Sequence, residues 1–232
     1  MGHLCLVDGS GVFFRAYHAL PPLATRTGLP TGAIYGFTSM LAKLLRESAA
    51  DRWAVVVDAP GRTFREEAFD DYKATRAATP SDLALQIPYI KQMVDALGLP
   101  LLEIPGVEAD DMIGTLAARA AAAGVEVEIV TSDKDMMQLV GPLVRLRDPV
   151  NERVITAREV EARFGVTPER VVEVMALMGD SIDNIPGVRG VGEKTATRLI
   201  QHFGSVEALY QRLDEIEELG LRGAKRLRAQ LE

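Results

Sequence analysis

Short apolar, β-branched runs alternate with longer stretches of helical spacing through the first half of the chain. Leu4 to Val7, Trp53 to Val57, Leu101 to Ile104 and Val125 to Thr131 read as strands, and Leu143 to Leu146 as a short edge strand. Between them, Ala33 to Glu47, Leu85 to Leu97 and Ala109 to Ala123 carry helical patterns. Strand and helix in alternation predict an α/β fold with a mostly parallel central sheet flanked by helices. Gly124 follows the alanine-rich helix where a left-handed glycine ends one.

The pattern changes after the turn-like segment Asp148 to Arg153. Helices are predicted over Ala157 to Phe164, Pro168 to Met178, Glu193 to Phe203, Ser205 to Leu213 and Gly223 to Glu232. Thr156 with Glu159 has the spacing of a capping box, and Pro168 suits a first helical position. The chain therefore divides into an α/β region, 1–155, and a helical region, 156–232.

With 232 residues, 47% hydrophobic and 25% charged, the chain has the composition of a globular protein with a sizeable core. No run is long enough to cross a bilayer, so no membrane partner is expected and a cytoplasmic location is. Cys5, the only cysteine, sits in an apolar strand and excludes an internal disulfide. The net charge of −7 weighs against a nucleic-acid partner. That weight falls if many of the acids belong to one cation site, where bound ions offset them.

The acids do fall in a pattern. Asp8 and Asp58 follow the first two strands, and Asp133 and Asp135 follow the fourth. Glu108, Asp110 and Asp111 open the alanine-rich helix, and Asp180 and Asp183 lie in Gly-Asp-Ser-Ile-Asp-Asn. Each alone reads equally as a turn former, a helix cap or a favourable charge at a helix start. As a set they predict one cleft beyond the strand ends. Packed carboxylates repel unless cations join them, and oxygen-only ligands suit Mg²⁺ or Mn²⁺. His3, His18 and His202 are scattered and form no zinc set with cysteine. Two divalent ions suit phosphodiester hydrolysis, which then needs no protein nucleophile. No Walker phosphate loop is present.

The segments LVDGSGVFFRAYHAL, VVDAPGRTFR, DYKATR, GVEADDMIG, TSDKDMMQLV and GDSIDNIPGVRGVGEKTA, in this order, resemble the 5′–3′ exonuclease domain of bacterial DNA polymerase I, within the flap endonuclease (5′ nuclease) family. The resemblance runs from about Leu4 to the end. It implies that Asp8, Asp58, Glu108, Asp110 and Asp111 surround a catalytic-side ion and that Asp133, Asp135, Asp180 and Asp183 lie on a second side. It also implies a helical arch over about 63–95. If that segment is helical, Arg65, Phe69, Tyr72, Lys73 and Arg76 share one face. Lys73 and Arg76 are then expected at the scissile phosphate, with Asp8 and Asp58 in the catalytic set, Arg15 as a further cation and Tyr72 stacked on a base. Thr75-Arg76-Ala77-Ala78 departs from the family pattern, in which asparagine commonly precedes the arginine and prolines follow it.

The run 185–196, IPGVRGVGEKTA, reads as a glycine hairpin before a helix. It resembles the family's helix–hairpin–helix element in its helix–two-turn–helix form, with Gly190, Gly192 and Lys194 at the DNA backbone and K⁺ between loop and phosphate. The expected partners are branched, flapped or nicked DNA, with RNA primer strands as a further substrate. A monomer associated with the nucleoid is expected, truncated at the C-terminus and continuous in nature with a polymerase region. A stand-alone family member, a non-catalytic branched-DNA module, a PIN-type ribonuclease and a phosphatase are the rival readings. The full acid set opposes the second, and the arch with the hairpin opposes the last two.

Overall fold

The computed structural model describes residues 2–232. Contacts divide the chain into two compact units. One comprises the stretch up to Phe64 with Ala77–Ile155, the other Arg65–Arg76 with Thr156–Glu232. The segment Arg65–Arg76, assigned by sequence to the α/β region, thus clusters with the helical residues.

The first unit is built on a six-stranded sheet. In chain order its elements are β1 (His3–Asp8), α1 (Gly9–Ala19), α2 (Gly32–Glu47) and β2 (Arg52–Val56). After the short helix α3 (Phe64–Ala68) come α4 (Ser81–Ala84), α5 (Ile87–Ala96), β3 (Leu101–Leu102), α6 (Ala109–Ala122), β4 (Glu126–Val130), β5 (Val144–Arg147) and β6 (Val154–Ile155). The spatial order is β3-β2-β1-β4-β5-β6, and all pairs are parallel except β5 with β6. Cys5, Leu6 and Val7 of the central strand are all fully buried, so both faces are covered and the run is apolar without alternation. One core cluster joins Cys5, Val7, Val55 and Val57 of the sheet region to Phe13 of α1, Phe37 and Leu41 of α2, and Ile90 and Val94 of α5.

Four details differ from the sequence expectation. Helix α1 (Gly9–Ala19) is absent from it, since glycine is a poor helix former and two of its first three residues are glycines. Gly9 is needed there: a β-carbon would lie 2.7 Å from the Val57 side chain. β5 is not the edge strand, since the two-residue β6 pairs outside it. The helix expected over Leu85 to Leu97 is α5, and the short helix α4, not expected, precedes it, with Gln86 between the two. That residue, 1% exposed, caps α2 from a distance: its Oε1 accepts from the Ala33 and Ile34 N–H groups at 2.8 and 3.2 Å. No long helix fills 63–95. α3 ends at Ala68, and Lys73 adopts a left-handed φ of 56°.

The second unit contains α7 (Ala157–Phe164), α8 (Val171–Met178), α9 (Glu193–Phe203), α10 (Val206–Gln211) and α11 (Ala224–Leu231). The capping box forms: the Thr156 N–H donates to the Glu159 carboxylate at 2.9 Å. α9 buries Ala196, Leu199, Ile200 and Phe203 at helical spacing. Pro168–Arg170 is a 3₁₀ turn before α8, and a second runs over Leu213–Leu219.

Candidate functional site

Parallel strands deliver their carboxyl ends to one edge of the sheet, and the acids of the first unit gather there. Asp8 ends β1 and caps α1. Its Oδ1 accepts from the Gly11 N–H at 2.8 Å, and its Oδ2 accepts from the Thr131 hydroxyl at 2.8 Å. Asp58 follows β2; its N–H donates to Ser10 Oγ, and its Oδ1 accepts from the Ala109 N–H at 2.8 Å, at the start of α6. Buried Glu108 is the N-cap residue of α6, and Asp110 and Asp111 occupy its first turn. Beyond β4, the Asp133 N–H donates to Thr131 Oγ1 at 3.0 Å, and Asp133 Oδ1 accepts from the Asp135 N–H at 2.8 Å.

Asp8 is 5% exposed, and its carboxyl is pushed up to about 6. Burial is the main cause, with the charges of Asp58 and Asp133 adding to it. The Gly11 N–H and Thr131 hydroxyl pull the other way. The strand-end acids therefore feel one another. Even so, among the described residues no three carboxylate, imidazole or thiol groups are drawn together as a set able to hold an ion. The dense cluster expected from sequence is not assembled in this arrangement. The hydrogen bonds explain part of the spacing, because Asp8 and Asp58 each satisfy a helix N-terminus. Thr131 and Ser10, which position these acids, lie inside the recognised motifs but read as an ordinary strand residue and a turn residue.

Asp180 and Asp183 belong to the second unit. Asp180 and Ile185 exchange backbone hydrogen bonds of 2.9 and 2.7 Å, and Asp180 Oδ1 accepts from the Ile182 N–H at 2.7 Å. Asp183 receives the Arg76 guanidinium at 2.5 Å and the Tyr72 hydroxyl at 3.3 Å. Its carbonyl accepts from the Lys73 N–H at 2.9 Å, and Asn184 Nδ2 donates to the Asp71 carbonyl at 2.7 Å. These ties replace the expected helix. Arg65, Phe69, Tyr72, Lys73 and Arg76 do not form a helical face, because Phe69 onward lies beyond α3. Tyr72 is 7% exposed with the Lys73 ammonium 4.9 Å from its ring centre, so it is placed to hold Asp183 rather than to stack on a base.

Gly190 has a left-handed φ of 84°, whereas Gly192 is extended, with φ −98° and open space where a β-carbon would stand. Only Gly190 needs glycine for its backbone. Lys194 is exposed in the first turn of α9, and Arg15 is exposed on α1. The tightest backbone approach lies elsewhere. A β-carbon on Gly187 would sit 2.3 Å from the Met178 carbonyl group, and one on Gly179 would sit 2.3 Å from the Gly187 nitrogen. This pair closes the loop that carries Asp180 and Asp183. Its signal in the sequence is two glycines eight positions apart around the acids.

Strand-end carboxylates on a parallel sheet, followed by a helical unit with a glycine hairpin, define a nuclease of the phosphodiester-hydrolysing kind. Residues 3–165 match the 5′–3′ exonuclease N-terminal resolvase-like domain, and residues 166–232 match the 5′–3′ exonuclease C-terminal SAM fold. The chain belongs to the 5′–3′ exonuclease family, and it is an enzyme of that nuclease class. It is 51% identical over 230 residues to DNA polymerase I of Pseudomonas aeruginosa, covering 99% of this chain and 25% of that protein. The chain thus spans about a quarter of the polymerase relative's length. Among solved structures, it is similar to a T5 5′-exonuclease with bound divalent zinc (28% identity, 99% and 83% coverage, TM-score 0.76). It is also similar to a bacteriophage T5 flap endonuclease in a pseudo-enzyme–product complex with DNA and metal ions (25% identity, 99% and 83% coverage, TM-score 0.77). Among the described residues, no helix is long and apolar enough to cross a membrane.

Proposed function

We propose that this chain hydrolyses DNA phosphodiesters near junctions of single and double strands, as a 5′–3′ exonuclease and structure-specific flap endonuclease. The observation that supports the reading is membership of this family together with Asp8 and Asp58 at the ends of parallel strands, Glu108, Asp110 and Asp111 at the start of α6, and Asp133 and Asp135 after β4. Asp180 and Asp183, in the second unit, are further proposed carboxylate ligands.

The donors suit the group they are proposed to hold. All are carboxylates, two of them buried (Asp8 and Glu108), and the Asp8 carboxyl is raised chiefly by burial, with a smaller push from the charges of Asp58 and Asp133 that a cation would offset. Mg²⁺ or Mn²⁺ is the expected ion, in two or more copies. When bound, such ions activate water and stabilise charge on the leaving oxygen. The chain's own residues do the rest. Thr131 and the Gly11 N–H hold the Asp8 carboxylate, and Tyr72 holds Asp183. Lys73 and Arg76 grip the scissile phosphate, the guanidinium with two donors. Arg65 and Arg15 add positive charge along the strand. Gly190, Gly192 and Lys194 meet the duplex backbone, with K⁺ at that hairpin. RNA primer strands are a further substrate, replication and repair the setting, and a monomer at the nucleoid, continuous with a polymerase region, the natural form.

End-labelled flap, nicked and single-stranded DNA incubated with Mg²⁺ tests the reading. Cuts at the junction that leave a 5′-phosphate and vanish in EDTA are expected. Undiminished cutting in EDTA, or none on any of these substrates, would overturn it.

A further inference from the structure

Two turns of chain meet in the second unit, and one amide side chain joins them. The first lies in the segment after α3. There the Asp71 carbonyl accepts from the Ala74 N–H at 3.2 Å, and the Lys73 carbonyl accepts from the Arg76 N–H at 2.9 Å. Lys73 reverses the chain with its left-handed φ of 56°. The second is the loop closed by the paired backbone bonds of Asp180 and Ile185. Asn184 stands one residue before that closure and is left-handed too, with φ 57°. Asparagine is among the few residues that tolerate this conformation.

Asn184 does more than let the chain turn. Its Nδ2 donates to the Asp71 carbonyl at 2.7 Å, the same oxygen that accepts from Ala74. A carbonyl oxygen has two lone pairs, so it can take both bonds. Next to it, the Lys73 N–H donates to the Asp183 carbonyl at 2.9 Å. One bond runs from loop to turn and the other from turn to loop. Together they fix the spacing and the twist of the 71–76 turn, where a single bond would leave a pivot. The remaining ties from this turn to Asp183, the Arg76 guanidinium and the Tyr72 hydroxyl, both use the Asp183 carboxylate. An ion on that carboxylate competes with them, and a phosphate competes for Arg76. The Asn184 amide bond uses neither.

We infer that Asn184 is a positioning residue for cutting: its amide holds the 71–76 turn, and with it Lys73 and Arg76, in place when the Asp183 carboxylate is engaged by an ion. The inference rests on the nuclease reading above and deepens it. Asn184 acts through the two cations, by way of the Asp71 carbonyl.

The test uses variants that separate the amide from the backbone. Asn184→Gly keeps the left-handed conformation and deletes the amide. Asn184→Asp keeps size and left-handed tolerance but sets an acceptor against the Asp71 carbonyl. Thermal melting checks that both are folded. Single-turnover cutting of flap DNA in Mg²⁺ is expected to slow roughly tenfold in each. For Asn184→Gly, the affinity for DNA in EDTA and for Mn²⁺ without DNA should stay within roughly twofold of wild type. In a Lys73→Ala/Arg76→Ala background, Asn184→Gly should cause no further loss of rate, because the groups it positions are gone.

A folded Asn184→Gly variant that cuts at the wild-type rate overturns the inference and leaves the nuclease reading intact. So does an equal loss of rate in the Lys73→Ala/Arg76→Ala background. Mn²⁺ affinity that falls in step with the rate also overturns it, since Asn184 would then shape the acid loop instead of the cations. A wild-type protein that cuts none of the DNA substrates overturns both.

Discussion

The strand-end acids and the Arg65–Arg76 segment, which sets Arg65, Lys73 and Arg76 among Glu66, Glu67, Asp70 and Asp71, are held by opposite means. Asp8, Asp58 and Asp133 are fixed by a buried parallel sheet and by hydrogen bonds to helix starts and to Thr131. The segment with Lys73 and Arg76 has no regular element beyond Ala68. It is held to the Asp180–Ile185 loop by side-chain and backbone ties, with both Lys73 and Asn184 in left-handed conformations unusual for residues other than glycine. Rigid acids suit a task that depends on position, such as placing ions. Cations on an irregular, tied-down segment suit a task in which a strand must enter and leave.

The largest effect should come from the rigid side. Asp133→Asn removes a charge from the strand-end set and should slow single-turnover cutting by roughly a thousandfold, while DNA binding in EDTA holds or tightens. Loss of cutting and binding together in a folded variant would assign Asp133 a structural role and break the division of labour.

Gly187→Ala probes the other side. Its β-carbon meets the Met178 and Gly179 backbone, which cannot yield, so a loss of about 3 kcal/mol or more in a urea melt is expected. Wild-type stability would mean that the loop is looser than described.

Asp8→Asn sharpens the contrast through pH. A folded carboxyl raised to about 6, from an ordinary 3.8, favours the protonated form. Its contribution is therefore best at low pH and is lost as pH rises from about 4 through about 6. In EDTA at pH 7, Asp8→Asn should be more stable than wild type by about 1–3 kcal/mol, with the gap closing towards pH 4. A variant less stable than wild type at pH 7 would show that the hydrogen bonds outweigh burial.

The smallest effect separates the hairpin glycines. Gly190→Val should lose about 1–2 kcal/mol, because its φ is left-handed. Gly192→Val, extended and in open space, should stay within about 0.5 kcal/mol in the same melt. Equal losses would contradict the backbone geometry.

What the sequence disclosed follows the same division. Where burial imposes a period, as in β1, β4, α6 and α9, the elements were legible to within a residue or two, and so was the position of Asp8 and Asp58 just at or after strand ends. Where the chain is organised by particular hydrogen bonds, periodicity carried no information. Helix α1 hides behind Gly-Ser-Gly, although Asp8 caps it. The helical face of Arg65 to Arg76 is a correct spacing laid on a backbone that turns at Lys73. Tyr72 reads as an exposed aromatic, yet it is buried against Lys73 with its hydroxyl at Asp183. Gln86 caps α2 from residues more than fifty positions away. The Gly179 and Gly187 contact was visible only as composition, since a close approach of two backbones leaves no periodic trace.

The central claim is that the strand-end carboxylates are a divalent-ion site, and a calorimetric titration of Mn²⁺ into wild type and Asp133→Asn, without DNA, tests it most directly. Saturable binding of at least one ion by wild type, weakened at least roughly tenfold in the variant, is the predicted result. Identical isotherms for the two proteins, or no saturable binding to wild type, would contradict it.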